Sequence, residues 1–142
     1  MARASGAAPP SPSSTLLLCG GGTGGHVYPA LAVAEAIAGG RTTVTFNPPP
    51  AFVYVGSVGG MEERIVAAES SLPFRALPAA ALRGRGPAQV ARGLRTILAG
   101  VTAARALIAE LRPRAILGTG GYVCVPLFIA ARLARVPSMV YL

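Results

Sequence analysis

The stretch LLLCGGGTGGHVYP, residues 16–29, decides the fold that this sequence predicts. A short apolar run leads into five glycines around Thr23, and an alanine-rich apolar segment follows at 30–38. This order is typical of a β-strand, a tight loop and an α-helix. Pro29 suits the first turn of that helix, where its missing N–H costs no hydrogen bond. Because glycines let backbone N–H groups approach a ligand and a helix N-terminus attracts negative charge, the stretch outlines an anion site.

A second loop repeats the pattern of the first. The letters GTGGHV at 22–27 are echoed by GTGGYV at 118–123, again after a strand-like run at 115–117 and again ahead of a proline, Pro126. In a parallel sheet, such loops lie at the carboxyl edge, where open α/β folds bind ligands. We therefore predict an α/β protein: a Rossmann-like open parallel sheet with helices on both faces and both loops at one site.

The composition excludes several chemistries. The thirteen basic residues are all arginine, the five acidic ones are all glutamate, and there is one histidine. A P-loop needs a lysine after its glycines, whereas Gly25 precedes His26. A dinucleotide site needs an acid about 20 residues beyond its glycines, and none lies between Glu35 and Glu62. A Ser-His-Asp triad would lack its aspartate. The sequence thus disfavours NTPases, NAD enzymes and hydrolases of that type.

The cysteines, the histidine and the net charge narrow the possible ligands. Cys19 and Cys124 fall at strand and helix positions, so we predict reduced core residues. His26 has no partner at a recognised ligand spacing, so neither a metal nor another cofactor is expected. The net charge of +8 favours phosphate or an anionic membrane over nucleic acid, because eight aromatic residues without tryptophan offer no stacking platform.

The remaining chain alternates strand and helix patterns. Residues 1–14 are predicted to be a disordered tail, and residues 15–142 one domain. Within it we predict strands at 42–46, 51–55, 73–77, 114–118 and 137–142 and helices at 61–68, 87–111 and 126–135. No segment is long and apolar enough to cross a membrane, so a soluble cytoplasmic protein is expected. The arginines of the 87–111 helix form either a solvated face or a membrane-contacting one.

Four motifs, in order, resemble the MurG family of bacterial glycosyltransferases. They are GGTGGHVYPALAVA at 21–34, VG and GME within 55–62, LRGRG at 82–86, and LGTGGYV with its following proline at 117–126. Members transfer N-acetylglucosamine from UDP-GlcNAc to undecaprenyl-pyrophosphoryl-MurNAc-pentapeptide (lipid I), giving lipid II for peptidoglycan. The resemblance covers the N-terminal, acceptor-side half of a two-domain GT-B fold. It implies that the donor domain is absent, that residues 1–142 alone do not turn over, and that the protein is peripheral on the cytoplasmic face of the plasma membrane.

The resemblance also implies roles for individual residues. Thr23, Gly24 and Gly25 would contact UDP-GlcNAc, and His26 would lie near the reacting centre as either a general base or a positioning group. The residues expected against the acceptor diphosphate are Gly21, Gly22, Gly24, Gly25, Gly120, Gly121 and Tyr122. Arg83 and Arg85 belong either to a solvated turn or to a flexible arm that reaches phosphate or the membrane. Residues 42–50 depart from the family pattern and look like an insertion.

Two other functions remain open from the sequence. One is a non-catalytic acceptor- or membrane-binding subunit of a split GlcNAc transferase, whose donor domain is a separate chain. The other is a plain nucleotide-binding Rossmann domain, which would need the missing acidic residue.

Overall fold

A computed structural model describes residues 13–79 and 86–141. Five strands form one parallel sheet: β1 (Thr15–Cys19), β2 (Ala51–Ser57), β3 (Phe74–Leu77), β4 (Ala115–Gly118) and β5 (Ser138–Val140). Their spatial order is β3-β2-β1-β4-β5. The chain therefore builds outward from β1 in one direction, then restarts at β4 on its other side. Open α/β sheets bind ligands in the crevice at such a switch point, which here lies between β1 and β4.

Four helices cover the sheet: α1 (Gly24–Ala38), α2 (Met61–Glu69), α3 (Pro87–Leu111) and α4 (Cys124–Ala134). Alternate residues of β1 serve opposite faces, as the pleat requires. Leu18 packs with Val27 of α1 and Val66 of α2 in one core, whereas Leu17 packs with Leu107 and Leu127 of α3 and α4 in the other. The predicted fold class, an open parallel sheet with helices on both faces, is confirmed.

The start of α1 differs from the prediction. The helix begins at Gly24, directly after Thr23, so Pro29 lies inside the helix and not in its first turn. Pro29 cannot donate to the carbonyl of Gly25 four residues earlier. Two of the five glycines that were expected to form a loop, Gly24 and Gly25, thus belong to the first turn of the helix. As a consequence, His26 is held by helical backbone at the edge of the sheet.

The predicted strand at 42–46 does not form. Residues 41–50 are irregular, with the Thr42 hydroxyl donating to the Val44 carbonyl at 2.7 Å. The two strands that flank this segment in the chain, β1 and β2, already have a partner on both sides, so neither leaves it a place to pair. Phe46 instead lines an apolar cleft with Leu16 and Phe52.

The other elements lie within two residues of their predicted bounds at most ends, and α3 matches at both. β5 is shorter than predicted, and α4 begins at Cys124, two residues early. The predicted tail, apart from residues 13 and 14, and the arginines at 83 and 85 lie outside the described residues. Within 13–79 and 86–141, no helix is both long and apolar enough to span a bilayer.

Candidate functional site

The two glycine loops meet at the carboxyl edge of the sheet. Cys19, at the end of β1, is in register with Gly118, at the end of β4. The N–H of Thr119 donates to the Cys19 carbonyl at 2.9 Å, and the N–H of Gly21 donates to the Gly120 carbonyl at 3.2 Å. The Thr119 hydroxyl donates to the carbonyl of His26 in the first turn of α1. The structure therefore joins the two repeats into one backbone assembly at the switch point.

Several glycines are required because protein atoms occupy the space of a side chain. A Cβ on Gly121 would overlap the carbonyl oxygen of Gly21, and φ there is +94°. A Cβ on Gly120 would stand 2.9 Å from Nε2 of His26, and one on Gly21 would stand 2.8 Å from Oε1 of Glu62. These three glycines allow the two loops to pack closely against each other and against the side chains of His26 and Glu62.

Two other glycines of the first loop, Gly22 and Gly25, have no protein atom in the space that a Cβ would occupy. A Cβ on Gly25 would find its nearest neighbour, Oγ1 of Thr23, at 3.5 Å, and one on Gly22 would lie 3.5 Å from the ring of Tyr122. Both glycines and Thr23 are exposed. A ligand that approaches this edge therefore meets the backbone of Gly22 and Gly25, with Tyr122 of the second loop beside it.

The N-terminus of α1 is built to attract negative charge. Thr23 is the N-cap residue, with φ −147° and ψ 154°, but its side chain makes no capping hydrogen bond. The first turn contains no acidic residue. The N–H of His26 donates to the Thr23 carbonyl at 3.1 Å, but the N–H groups of Gly24 and Gly25 and the positive end of the helix dipole are available to an anion.

His26 has one ring nitrogen fixed by the first loop. Its Nδ1 lies 2.9 Å from the carbonyl oxygen of Gly21 and 3.4 Å from Oγ1 of Thr23. Because a carbonyl can only accept, Nδ1 carries the proton, and in the neutral ring Nε2 keeps its lone pair. The ring is half-buried, with Nε2 against Gly120. This arrangement can accept a proton at Nε2.

Glu62, at the start of α2, is a residue of this site whose role the sequence analysis missed. It is fully buried, at 0% exposure. Its Oε1 accepts hydrogen bonds from the N–H and hydroxyl of Ser57, at 2.6 and 2.5 Å. Oε2 has no hydrogen-bond partner among the described residues. The GME motif contained the signal, but an acid in the first turn of a helix resembles any dipole-favoured surface residue.

Opposing effects set the charge of Glu62. Burial acts to raise its pKa, but hydrogen bonds from Ser57 and the nearby N–H groups of Glu62 and Gly22 outweigh burial, so the pKa lies below its ordinary value. Those last two N–H groups act through their dipoles, since neither meets hydrogen-bond geometry with Oε2. A buried carboxylate anion consequently lies beneath the first loop.

Tyrosine and cysteine side chains also contact the base of the glycine loops. The Tyr54 hydroxyl donates to the Gly20 carbonyl at 2.9 Å, and burial raises the pKa of that phenol. Cys19 and Cys124 are buried free thiols, as predicted, with their Sγ atoms 3.4 Å apart. The described residues contain no cluster of three or more His, Cys or acidic side chains that could hold a metal ion.

A parallel sheet with a glycine loop and a helix N-terminus at its switch point is the architecture of nucleotide-binding α/β domains in general. Comparison with known proteins gives the family. The chain belongs to glycosyltransferase family 28: the model of that family's N-terminal domain matches residues 16–141.

Individual relatives have names that specify a reaction more closely than the family description does. The chain is 57% identical to the UDP-N-acetylglucosamine–N-acetylmuramyl-(pentapeptide) pyrophosphoryl-undecaprenol N-acetylglucosamine transferase of Roseiflexus sp. (strain RS-1), over 87% of this chain and 31% of the relative. It is 42% identical to the protein of the same name from Desulforudis audaxviator, over 89% and 32%. The crystal structure of Acinetobacter baumannii MurG superposes with a TM-score of 0.71 at 28% identity, covering 89% of this chain and 34% of that one. The chain thus spans about a third of the length of the relatives it matches.

Proposed function

We propose that this chain is the N-terminal, acceptor-side part of the enzyme that transfers GlcNAc from UDP-GlcNAc to lipid I, undecaprenyl-pyrophosphoryl-MurNAc-pentapeptide. The observation that carries the proposal is the 57% identity to a transferase with that name, over 87% of this chain. Because the match spans only 31% of the relative, we further propose that residues 1–142 alone do not turn over. The rest of the donor site would come from sequence that this chain does not contain.

The acceptor diphosphate is proposed to dock on the open side of the first loop and the N-terminus of α1. Gly22 and Gly25 are exposed there, and the first turn has no acid to repel phosphate. Thr23, Gly24 and Gly25 would also contact UDP-GlcNAc. The residues proposed to line the diphosphate site are Gly22, Gly24 and Gly25, with Tyr122 beside them. Gly21, Gly120 and Gly121, which were also expected there, have protein atoms where a side chain would stand and hold the two loops together.

His26 is proposed as the general base. Its Nε2 would take the proton of the attacking acceptor hydroxyl while that oxygen bonds to the anomeric carbon of GlcNAc. The bond from this carbon to the UDP oxygen breaks, and its electron pair leaves with UDP, so direct displacement inverts the configuration. Backbone N–H groups would stabilise the charge on the diphosphate. The bond from Nδ1 to the Gly21 carbonyl supports the role, because it keeps Nε2 as the free acceptor.

Contact with an anionic membrane is proposed for the N-terminal half of α3. Val90, Leu94 and Leu98 are 46, 52 and 68% exposed and recur every four residues, so they share one helix face. Arg92 and Arg95 are exposed beside them. Apolar side chains flanked by arginine are typical of helices that lie on anionic lipid surfaces. This contact would place the protein on the cytoplasmic face of the plasma membrane.

Sedimentation with phosphatidylglycerol vesicles, with and without lipid I, tests the proposal. We expect the chain to bind plain vesicles and to bind about tenfold more tightly when they carry lipid I. Gly25→Val should abolish the lipid I-dependent gain, since a branched side chain would stand where phosphate approaches. Ala32→Val, at an exposed position two turns along α1, is the matched control and should keep the gain.

Three results would contradict the proposal. An unchanged gain in Gly25→Val would remove the first loop from the site. Lipid II formed from UDP-GlcNAc by residues 1–142 would refute their inactivity. Strong binding of UDP-GlcNAc to this chain alone would contradict our assignment of most donor contacts to the missing part. Transfer restored by adding a separate donor-domain chain would instead identify a split transferase.

A further inference from the structure

One peptide group lies between the buried carboxylate and the candidate base. The carbonyl oxygen of Gly21 accepts the Nδ1–H of His26 at 2.9 Å. The N–H at the other end of this planar peptide unit belongs to Gly22. The Glu62 carboxylate packs against the same unit, since a Cβ on Gly21 would stand 2.8 Å from Oε1 and 3.2 Å from Oε2. The order in space is therefore carboxylate, peptide, imidazole.

Glu62 has unused acceptor capacity on this side. Ser57 donates to Oε1, whereas Oε2 is buried without a hydrogen-bond partner in the part of the chain that the structure describes. The Gly22 N–H is close enough to help lower the pKa of Glu62. A buried charge with a free oxygen is costly unless neighbouring dipoles face it. One of the dipoles that face it here, beside the N–H of Glu62 itself, belongs to the peptide that also holds His26.

We propose that Glu62 is a positioning residue for His26, acting through the Gly21–Gly22 peptide. Its negative charge polarises this peptide, makes the Gly21 carbonyl a stronger acceptor, and so holds the Nδ1–H form of the ring. The result is a ring whose Nε2 keeps its lone pair, on the side that faces Gly120. The role as a base rests on the proposed function, but the electrostatic coupling itself does not.

Among the described residues, Glu62 is the carboxylate that packs against the loops. Burial raises the pKa of both Tyr54 and Cys19, so neither carries a negative charge near neutral pH. A hydrogen bond with Cys19 lowers the pKa of the Cys124 thiol, against the effect of burial. The Sγ of Cys124 contacts Cys19 and the Gly120 carbonyl, on the side of the second loop. Tyr28 and Tyr122 are other titratable rings that lie against the loops in this part of the chain.

The single histidine of the chain makes the coupling directly measurable. We would follow the ring ¹⁵N resonances of His26 by NMR from pH 4 to pH 9 in the wild-type chain, Glu62→Gln and Glu63→Gln. Glu63 is the next residue of α2 and is exposed, so its substitution removes the same charge from the same helix. The neutral wild-type ring should be the Nδ1–H tautomer. The fraction of the Nδ1–H tautomer at pH 9 should be lower in Glu62→Gln than in the wild type, and unchanged in Glu63→Gln.

Equal Nδ1–H fractions in the two variants, or an Nε2–H tautomer in the wild type, would overturn the proposal. A purely structural role for Glu62 would lower the stability of Glu62→Gln without a difference in tautomer between the two variants. Should Glu62→Gln not fold, the wild type still decides the matter. In that case the chemical shift of the wild-type Gly22 amide should change over the same pH range in which the Glu62 carboxyl carbon titrates. A Gly22 chemical shift that stays constant over this range contradicts the coupling. Neither measurement involves sugar transfer, so failure here leaves the proposed function standing.

Discussion

The two glycine loops share the sequence GTGG but differ in their exposure and in their packing. In the first, Thr23 is exposed and Gly25 has room for a side chain. In the second, the equivalent Thr119 is buried and donates to the His26 carbonyl, and the equivalent Gly121 has no room at all. The first loop is thus the surface that a ligand can reach, and the second is its support. A repeated motif therefore need not repeat a function, because what occupies the Cβ space of each glycine decides its role.

The largest expected difference is between the last glycines of the two motifs. Gly121→Ala should destabilise the chain by about 3 kcal/mol or more, because φ of +94° strains any side chain and the new Cβ overlaps the Gly21 carbonyl. Gly25→Ala should change the free energy of unfolding by less than about 1 kcal/mol, and in the stabilising direction, since it removes a helical glycine without a clash. Urea unfolding of both variants measures the contrast. Equal losses would mean that the two loops are equivalent after all.

A smaller contrast is expected between the two threonines. Thr119→Val removes a buried hydroxyl that donates to the carbonyl of His26, so we expect a loss of about 1–2 kcal/mol. Thr23→Val should lie within about 0.5 kcal/mol of the wild type, because Thr23 makes no capping hydrogen bond. Thermal and urea unfolding check both values. A larger loss in Thr23→Val would show that the first loop supports the fold as well.

Sequence alone predicted the sheet, most helices and the meeting of the two loops, because strand, glycine and helix patterns are local. It did not predict that Pro29 lies within α1, since proline is also common in the first turn. It predicted a strand at 42–46 because β-branched residues favour strands. The flanking strands β1 and β2, however, are already paired on both sides. Nor could it distinguish Glu62 from Glu63: they are adjacent acids on one helix, and only the packing of α2 under Gly21 buries the first.

The smallest expected difference concerns pH, because the first loop rests on a charge and the second on a hydroxyl. The pKa of Glu62 is lowered in the folded chain, so its contribution to stability is present above the ordinary glutamate pKa of about 4.3 and is lost as pH falls through the lower folded value. In that window the wild type should lose up to about 1.4 kcal/mol per pH unit more than Glu62→Gln, while Glu63→Gln should keep the wild-type slope. Urea unfolding between pH 6 and pH 3 measures the three slopes. Parallel curves for all three proteins would mean that folding does not lower the pKa of Glu62, so that its ionised form supports the first loop no better than its protonated form, and would remove the contrast in how the two loops are held.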